Sequence, residues 1–137
     1  MILIANKRPE KLEMFEVTII KSFSAAHLLA EIGGKCEELH GHNFKVEITV
    51  AAEKLNSNGL LIDFRFLKKV LGEILEDVDH KHLNALTAFT GINPSAENIA
   101  KYICDKMETK VKTAGVNVVR VKIWESENAA VTYTPRQ

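Results

Sequence analysis

Two stretches of apolar alternation, each bordered by histidine, constrain this chain more than any other feature. Phe15, Val17, Ile19, Phe23 and Ala25 occupy every second position, with Lys21 the one break. Phe44, Val46, Ile48 and Val50 alternate with Lys45, Glu47 and Thr49. Side chains two residues apart in a strand project to one face, so each stretch reads as a half-buried β-strand. His27 extends the apolar parity of the first stretch beyond its end, and His40 and His42 extend that of the second before its start. Between them, Gly33-Gly34 breaks a loop running roughly from Leu28 to Leu39. If the two strands pair as an antiparallel hairpin, their histidine-bearing ends meet. The imidazoles of His27, His40 and His42 then converge on one side of the sheet, with Gly41 allowing close packing or a bend between them.

The rest of the chain supplies two helices and two more strands. Asn56-Ser57-Asn58-Gly59 is a turn, and Asp63 is an N-cap for a helix with Phe64, Leu67, Val70, Leu71, Ile74, Leu75 and Val78 on one face. Asn93-Pro94-Ser95 opens a second helix with the stripe Ile99, Ile103 and Met107. Val119, Val121 and Ile123 mark a third strand, and Ala129, Val131 and Tyr133 a fourth. The order strand, strand, helix, helix, strand, strand predicts an α+β domain: a four-stranded antiparallel sheet with two helices on one face. The uncovered face and edges of such a sheet predict self-association.

A chain of 137 residues holds one domain. Residues 1–13 are charged, carry Pro9 and show no period, so they read as an N-terminal extension to a domain over 14–137. Eighteen basic residues balance eighteen acidic ones, which points away from nucleic acid as a partner. No apolar run approaches membrane-spanning length, so a membrane partner is not expected either. Met1 to Ala5 is too short for a signal-peptide apolar region, and Cys36 and Cys104 make a poor disulfide framework. The chain is therefore expected in a reducing cytoplasm.

Three imidazoles suit a borderline divalent metal, most often zinc, and three protein ligands leave the fourth position open, as catalytic sites do. The plain alternative makes each histidine a polar residue at a strand rim. Cys36, four residues before His40, has three readings: a fourth ligand that closes the site, a base or nucleophile beside the metal, or a buried structural thiol. The polarity of Gly33-Gly34-Lys35-Cys36-Glu37-Glu38 disfavours the last. Cys104, beside the Ile99–Ile103 stripe, reads as a small core residue. Asp79-His80-Lys81-His82 is expected to close the first helix, where the helix dipole alone favours a histidine. A functional reading makes His80 an acid/base group oriented by Asp79. Glu125 continues the parity of Val121 and Ile123 and so faces the apolar side. The plain readings are a salt bridge with an internal Lys or Arg, or fraying to solvent at the strand end; the functional one is an anchor for a ligand bearing paired N–H donors.

Ser24-Ala25-Ala26-His27, Lys35-Cys36-Glu37-Glu38-Leu39-His40-Gly41-His42, Asp79-His80, Pro94-Ser95-Ala96-Glu97-Asn98 and Trp124-Glu125-Ser126, in this order, resemble the 6-pyruvoyl-tetrahydropterin synthase family. The likeness is greatest to its bacterial 6-carboxytetrahydropterin synthase branch and runs from about Phe15 to the C-terminus. It implies the tunnelling fold, whose subunits join their sheets into a barrel, commonly a hexamer of two stacked trimers with active sites between chains. It implies zinc on His27, His40 and His42, Cys36 as proton acceptor, and Asp79 and His80 as its relay. It further implies that Glu125 grips the pterin ring and takes part in proton transfer, and that Ser95 adds a ring contact. The implied reaction turns 7,8-dihydroneopterin triphosphate into 6-carboxy-5,6,7,8-tetrahydropterin with loss of acetaldehyde and triphosphate, toward queuosine-type deazapurines. Three residues separate Cys36 from His40, where animal pyruvoyl-forming relatives have a longer gap, so spacing favours the carboxy branch. Ala96 departs from the Thr or Ser common in relatives, and His82 lies outside the shared motif. Pyruvoyl formation, another dihydroneopterin side-chain activity, and non-catalytic pterin binding are the competing readings.

Overall fold

The structure, a computed structural model, describes residues 13–136; nearly all of the extension read over 1–13 lies outside the described residues. Strands β1 (Phe15–His27) and β2 (His40–Ala52) form the expected hairpin. Their antiparallel register pairs Phe15 with Ala52, Phe23 with Phe44, Ala25 with His42 and His27 with His40. Helix α1 (Phe64–Glu76) starts at Asp63, whose carboxylate accepts from Arg65 N at 2.8 Å. A two-residue strand β3 (Lys81–His82) follows, then helix α2 (Ala96–Val111) and strands β4 (Asn117–Ser126) and β5 (Ala129–Tyr133).

The expected sheet needs correcting in one respect. Among the described residues it has five strands in the order β3-β1-β2-β4-β5, and β3 runs parallel to β1, opposite Ala25 and Ala26. The sheet is therefore mixed, and it is open within one chain. A two-residue strand shows no alternation, so no periodicity could reveal it.

Helix α1 packs against β1 and α2, and α2 against β4 and β5. The core lies between helices and sheet: Phe44, Ile48, Val121 and Ile123 face Leu67, Leu71, Ile99 and Met107, all fully buried. Each side chain of that size contributes about 1.5–3 kcal/mol on burial. Phe23 stacks on Phe44 at a centroid distance of 4.9 Å, just below the histidine end of the hairpin. Lys21 keeps its inward parity and is only half-buried. Its ammonium runs beneath Gly72 of α1, where a Cβ would lie 3.3 Å from Nζ. A glycine on the helix thus makes room for the one cation in the alternating run.

Two local expectations shift. Val118, not Val119, is fully buried, because Val119 is the extra residue of a bulge in β4: Thr49 pairs with Arg120 and the next β2 residue, Val50, with Val118. Helix α1 ends at Glu76, and Val78 stays fully buried in a turn where Asp79 N donates to Leu75 O at 2.8 Å. The outward face of the sheet is polar. Thr18 and Thr49 share a hydrogen bond of 2.8 Å, Arg120 pairs with Glu16, and Lys45 and Lys122 both lie over the Trp124 ring. Among the described residues no helix is long and apolar enough to cross a membrane.

Candidate metal centre

The register of β1 and β2 does what strand parity predicts. His27 and His40 are opposite each other, and His42 sits across from Ala25 on the same face. The ring centroids of His27 lie 4.5 Å from His40 and 5.1 Å from His42, and His40 and His42 are 4.8 Å apart. One nitrogen from each ring falls within 4.8 Å of the others, an arrangement that could hold a metal ion.

The surroundings of the rings fit a metal. His27 is fully buried, and its Nδ1 donates to Pro94 O at 2.7 Å. That bond leaves Nε2 as the free nitrogen, and Nε2 is buried with no hydrogen-bond partner. An orphaned buried acceptor costs about 1–3 kcal/mol, which a coordinated cation would offset. Burial holds the His27 pKa below its ordinary value against the opposing pull of the Pro94 carbonyl, so the ring is neutral and ready to ligate at pH 7. His40 Nδ1 likewise donates to Glu38 O at 2.8 Å. Three imidazole nitrogen donors suit zinc and its neighbours in the transition series alike. Cys36 stands outside this ligand group, exposed in a short turn over Gly34–Glu37. Cys104 is the fully buried thiol that its helix position predicts, pushed up to about 12 by burial.

Asp79 and His80 do face each other, with His80 Nδ1 3.0 Å from Asp79 Oδ1. Neighbours on a chain achieve this here because His80 adopts a left-handed φ of 56°. Both are fastened to β1: Ser24 N donates to Asp79 Oδ1 at 2.9 Å, and His80 N donates to Ser24 O at 2.6 Å. The Ser24 N–H is the main cause of an Asp79 pKa below the usual carboxylate value. His80 lies beyond the end of α1, so the helix-dipole reason for a histidine there does not apply.

Ser95 is the N-cap of α2, its Oγ accepting from Asn98 N at 3.2 Å. With Glu125, Ala96 and Leu29 it lines one cleft; His42, His80 and Ser24 line another. Cys36 lines neither. Glu125 is half-buried, and no ion pair holds it among the described residues, so the internal cation that parity left open is not found. Sequence reasoning missed the carbonyls of Pro94 and Glu38, which orient two of the three rings. A backbone carbonyl leaves no mark in residue identity.

Comparison with known proteins places these features. Residues 16–136 match the model of a family described as 6-pyruvoyl tetrahydropterin synthase. The chain is 38% identical over 114 residues to a putative 6-carboxy-5,6,7,8-tetrahydropterin synthase of Archaeoglobus fulgidus, covering 82% of this chain and 89% of that one. It is 36% identical over 126 residues to the human 6-pyruvoyl tetrahydrobiopterin synthase, covering 82% and 86%. Among solved structures, the 6-pyruvoyl tetrahydropterin synthase of Caenorhabditis elegans superposes with a TM-score of 0.81 at 27% identity, over 91% of this chain and 98% of that one.

Proposed function

The chain belongs to the 6-pyruvoyl tetrahydropterin synthase family, and on that premise we propose that it is a zinc-dependent lyase. With one water taken up, it converts 7,8-dihydroneopterin triphosphate to 6-carboxy-5,6,7,8-tetrahydropterin, releasing acetaldehyde and triphosphate. The observation that carries the reading is the three-histidine cluster with its orphaned, buried His27 Nε2. Zinc held by His27, His40 and His42 would make the side-chain hydroxyls of the pterin more acidic and offset negative charge developing beside them.

The chain's own groups supply binding and proton transfer. The Cys36 thiolate accepts a proton from a side-chain carbon and returns it to the ring. His80 relays it through Nε2, because Nδ1 is engaged by the Asp79 carboxylate. The Glu125 carboxylate accepts the paired N–H donors of the pterin edge, a charge-assisted pair that a half-buried site strengthens, and takes part in proton transfer. Ser95 contacts the ring from the same cleft. Since Cys36 lines neither cleft of one chain, a homo-oligomer, with six copies as its form, completes the site between chains. Residues 14–137 form the catalytic domain, and the setting is cytoplasmic.

Formation of the 6-pyruvoyl product is the second reading, favoured by a similarity to the human relative that nearly equals the archaeal one. The short gap between Cys36 and His40 supports the carboxy product over it. Incubation with 7,8-dihydroneopterin triphosphate, followed by identification of every product, separates the two. Acetaldehyde is expected; a pyruvoyl product without acetaldehyde overturns the first reading, and binding without conversion overturns both. His27→Ala is expected to lose the metal. Cys36→Ala should keep metal and fold and lose turnover by on the order of 10²-fold or more.

A further inference from the structure

Past His27 the backbone leaves the sheet, yet Leu28, Leu29 and Ala30 are held from both edges. On one edge two side-chain amides stand in for a neighbouring strand. Leu28 N donates to Asn84 Oδ1 and Asn84 Nδ2 donates to Leu28 O, both at 3.0 Å. Ala30 N donates to Asn93 Oδ1 at 2.8 Å and Asn93 Nδ2 donates to Ala30 O at 3.1 Å. Residues two apart in extended backbone present their N–H and C=O groups to the same edge. The two asparagines therefore continue, by side chain, the parallel ladder that β3 makes with Ala25 and Ala26. On the opposite edge, Leu29 N donates to Cys36 O at 2.7 Å. This bond ties the start of the loop to the residue bearing the thiol.

Both amides are anchored. Asn84 sits in a 3-10 turn directly after β3. The carbonyl of Asn93 accepts from Asn98 Nδ2 at 2.8 Å, in the first turn of α2, and the next residue, Pro94, receives the His27 Nδ1–H. The segment that orients a histidine of the metal cluster thus also grips the root of the cysteine loop. Without the clamps, Leu28–Ala30 would present unpaired backbone groups to solvent, next to left-handed Glu31, Gly33 and Gly34.

We propose that Asn84 and Asn93 are positioning residues for Cys36, a pair of amide clamps that fix the loop root from which the thiol is suspended. The proposal rests on the reading of Cys36 as proton acceptor. Its first test does not depend on turnover. In the metal-loaded full chain, amide exchange by NMR is compared for wild type, Asn84→Ala, Asn93→Ala and the double variant. Leu29 N–H touches neither asparagine, so its protection reports the tie to Cys36 alone. Exchange at Leu29 should rise by on the order of tenfold with each clamp removed, while metal content and the exchange of β2 amides stay as in wild type. The single variants Asn84→Asp and Asn93→Asp keep the acceptor and lose the donor, and they should fall between wild type and alanine if the double variant does not fold. Turnover supplies the second readout: kcat falls by on the order of tenfold per clamp, with KM changed much less. Unchanged Leu29 protection in the clamp variants overturns the proposal. If Leu29 loses protection but wild type does not convert the triphosphate, the clamps stand as the anchor of the loop and the assigned reaction falls.

Discussion

Asp79 shows how one hydrogen bond sets a pH dependence. Its carboxyl is held below the ordinary value of 3.8, chiefly by the Ser24 N–H and further by His80. A carboxylate favoured by the fold contributes stability that is present above its unfolded pKa and lost as pH falls through the lower folded one. In Asp79→Asn the amide oxygen still accepts from Ser24 but carries no charge. Thermal unfolding should therefore separate wild type from Asp79→Asn above about pH 4 and bring the two curves together only as pH falls on through the lower folded value. A gap that stays constant across that range would show that the charge on Asp79 does not matter to the fold. At this scale much of the site was legible in the sequence. Alternation put His27, His40 and His42 on one face, and β1 and β2 place them so. The left-handed turn at His80, which aims its ring at Asp79, was not legible, because residue type only weakly signals positive φ outside glycine.

Among the elements, α2 meets the candidate site around its N-terminus. Ser95 caps it, Asn98 braces Asn93 and the Pro94 carbonyl orients His27. Loss of an N-cap hydroxyl costs about 1 kcal/mol. Ser95→Ala should lose that much in denaturant unfolding, whereas Ser95→Asp, which can still cap, should recover most of it. A rise in KM for Ser95→Asp despite restored stability would separate ring contact from capping. The long elements were readable because period two and period 3.6 persist over many residues, as in β1, β2 and α1. Three details were not. Strand β3 is two residues long, the bulge at Val119 of β4 is defined by the pairing with β2, and Val78 continues the apolar period after α1 has ended. The first two are decided by partners distant in the chain.

As a whole, the molecule has a sheet with two ends and no apolar outer layer. The outward face satisfies its own polar groups through Thr18–Thr49, Arg120–Glu16 and Trp124 Nε1 donating to Glu47 at 2.5 Å. Ile20 is an exception, half exposed on that face. Such a surface favours association through strand edges over stacking of sheets, since backbone groups along β5 lack a second neighbour among the described residues. Light scattering of the metal-loaded protein should give a mass several-fold above the 15.3 kDa chain, and a single-chain mass would leave both clefts incomplete. The buried His27 nitrogen has a final consequence away from chemistry. An ion seated there would give a partner to the one unpartnered buried side-chain polar atom among the described residues, so occupancy and folding free energy would be linked. Metal scarcity in a cell would then thin the population of folded chains, through quality control, before it slowed any surviving molecule.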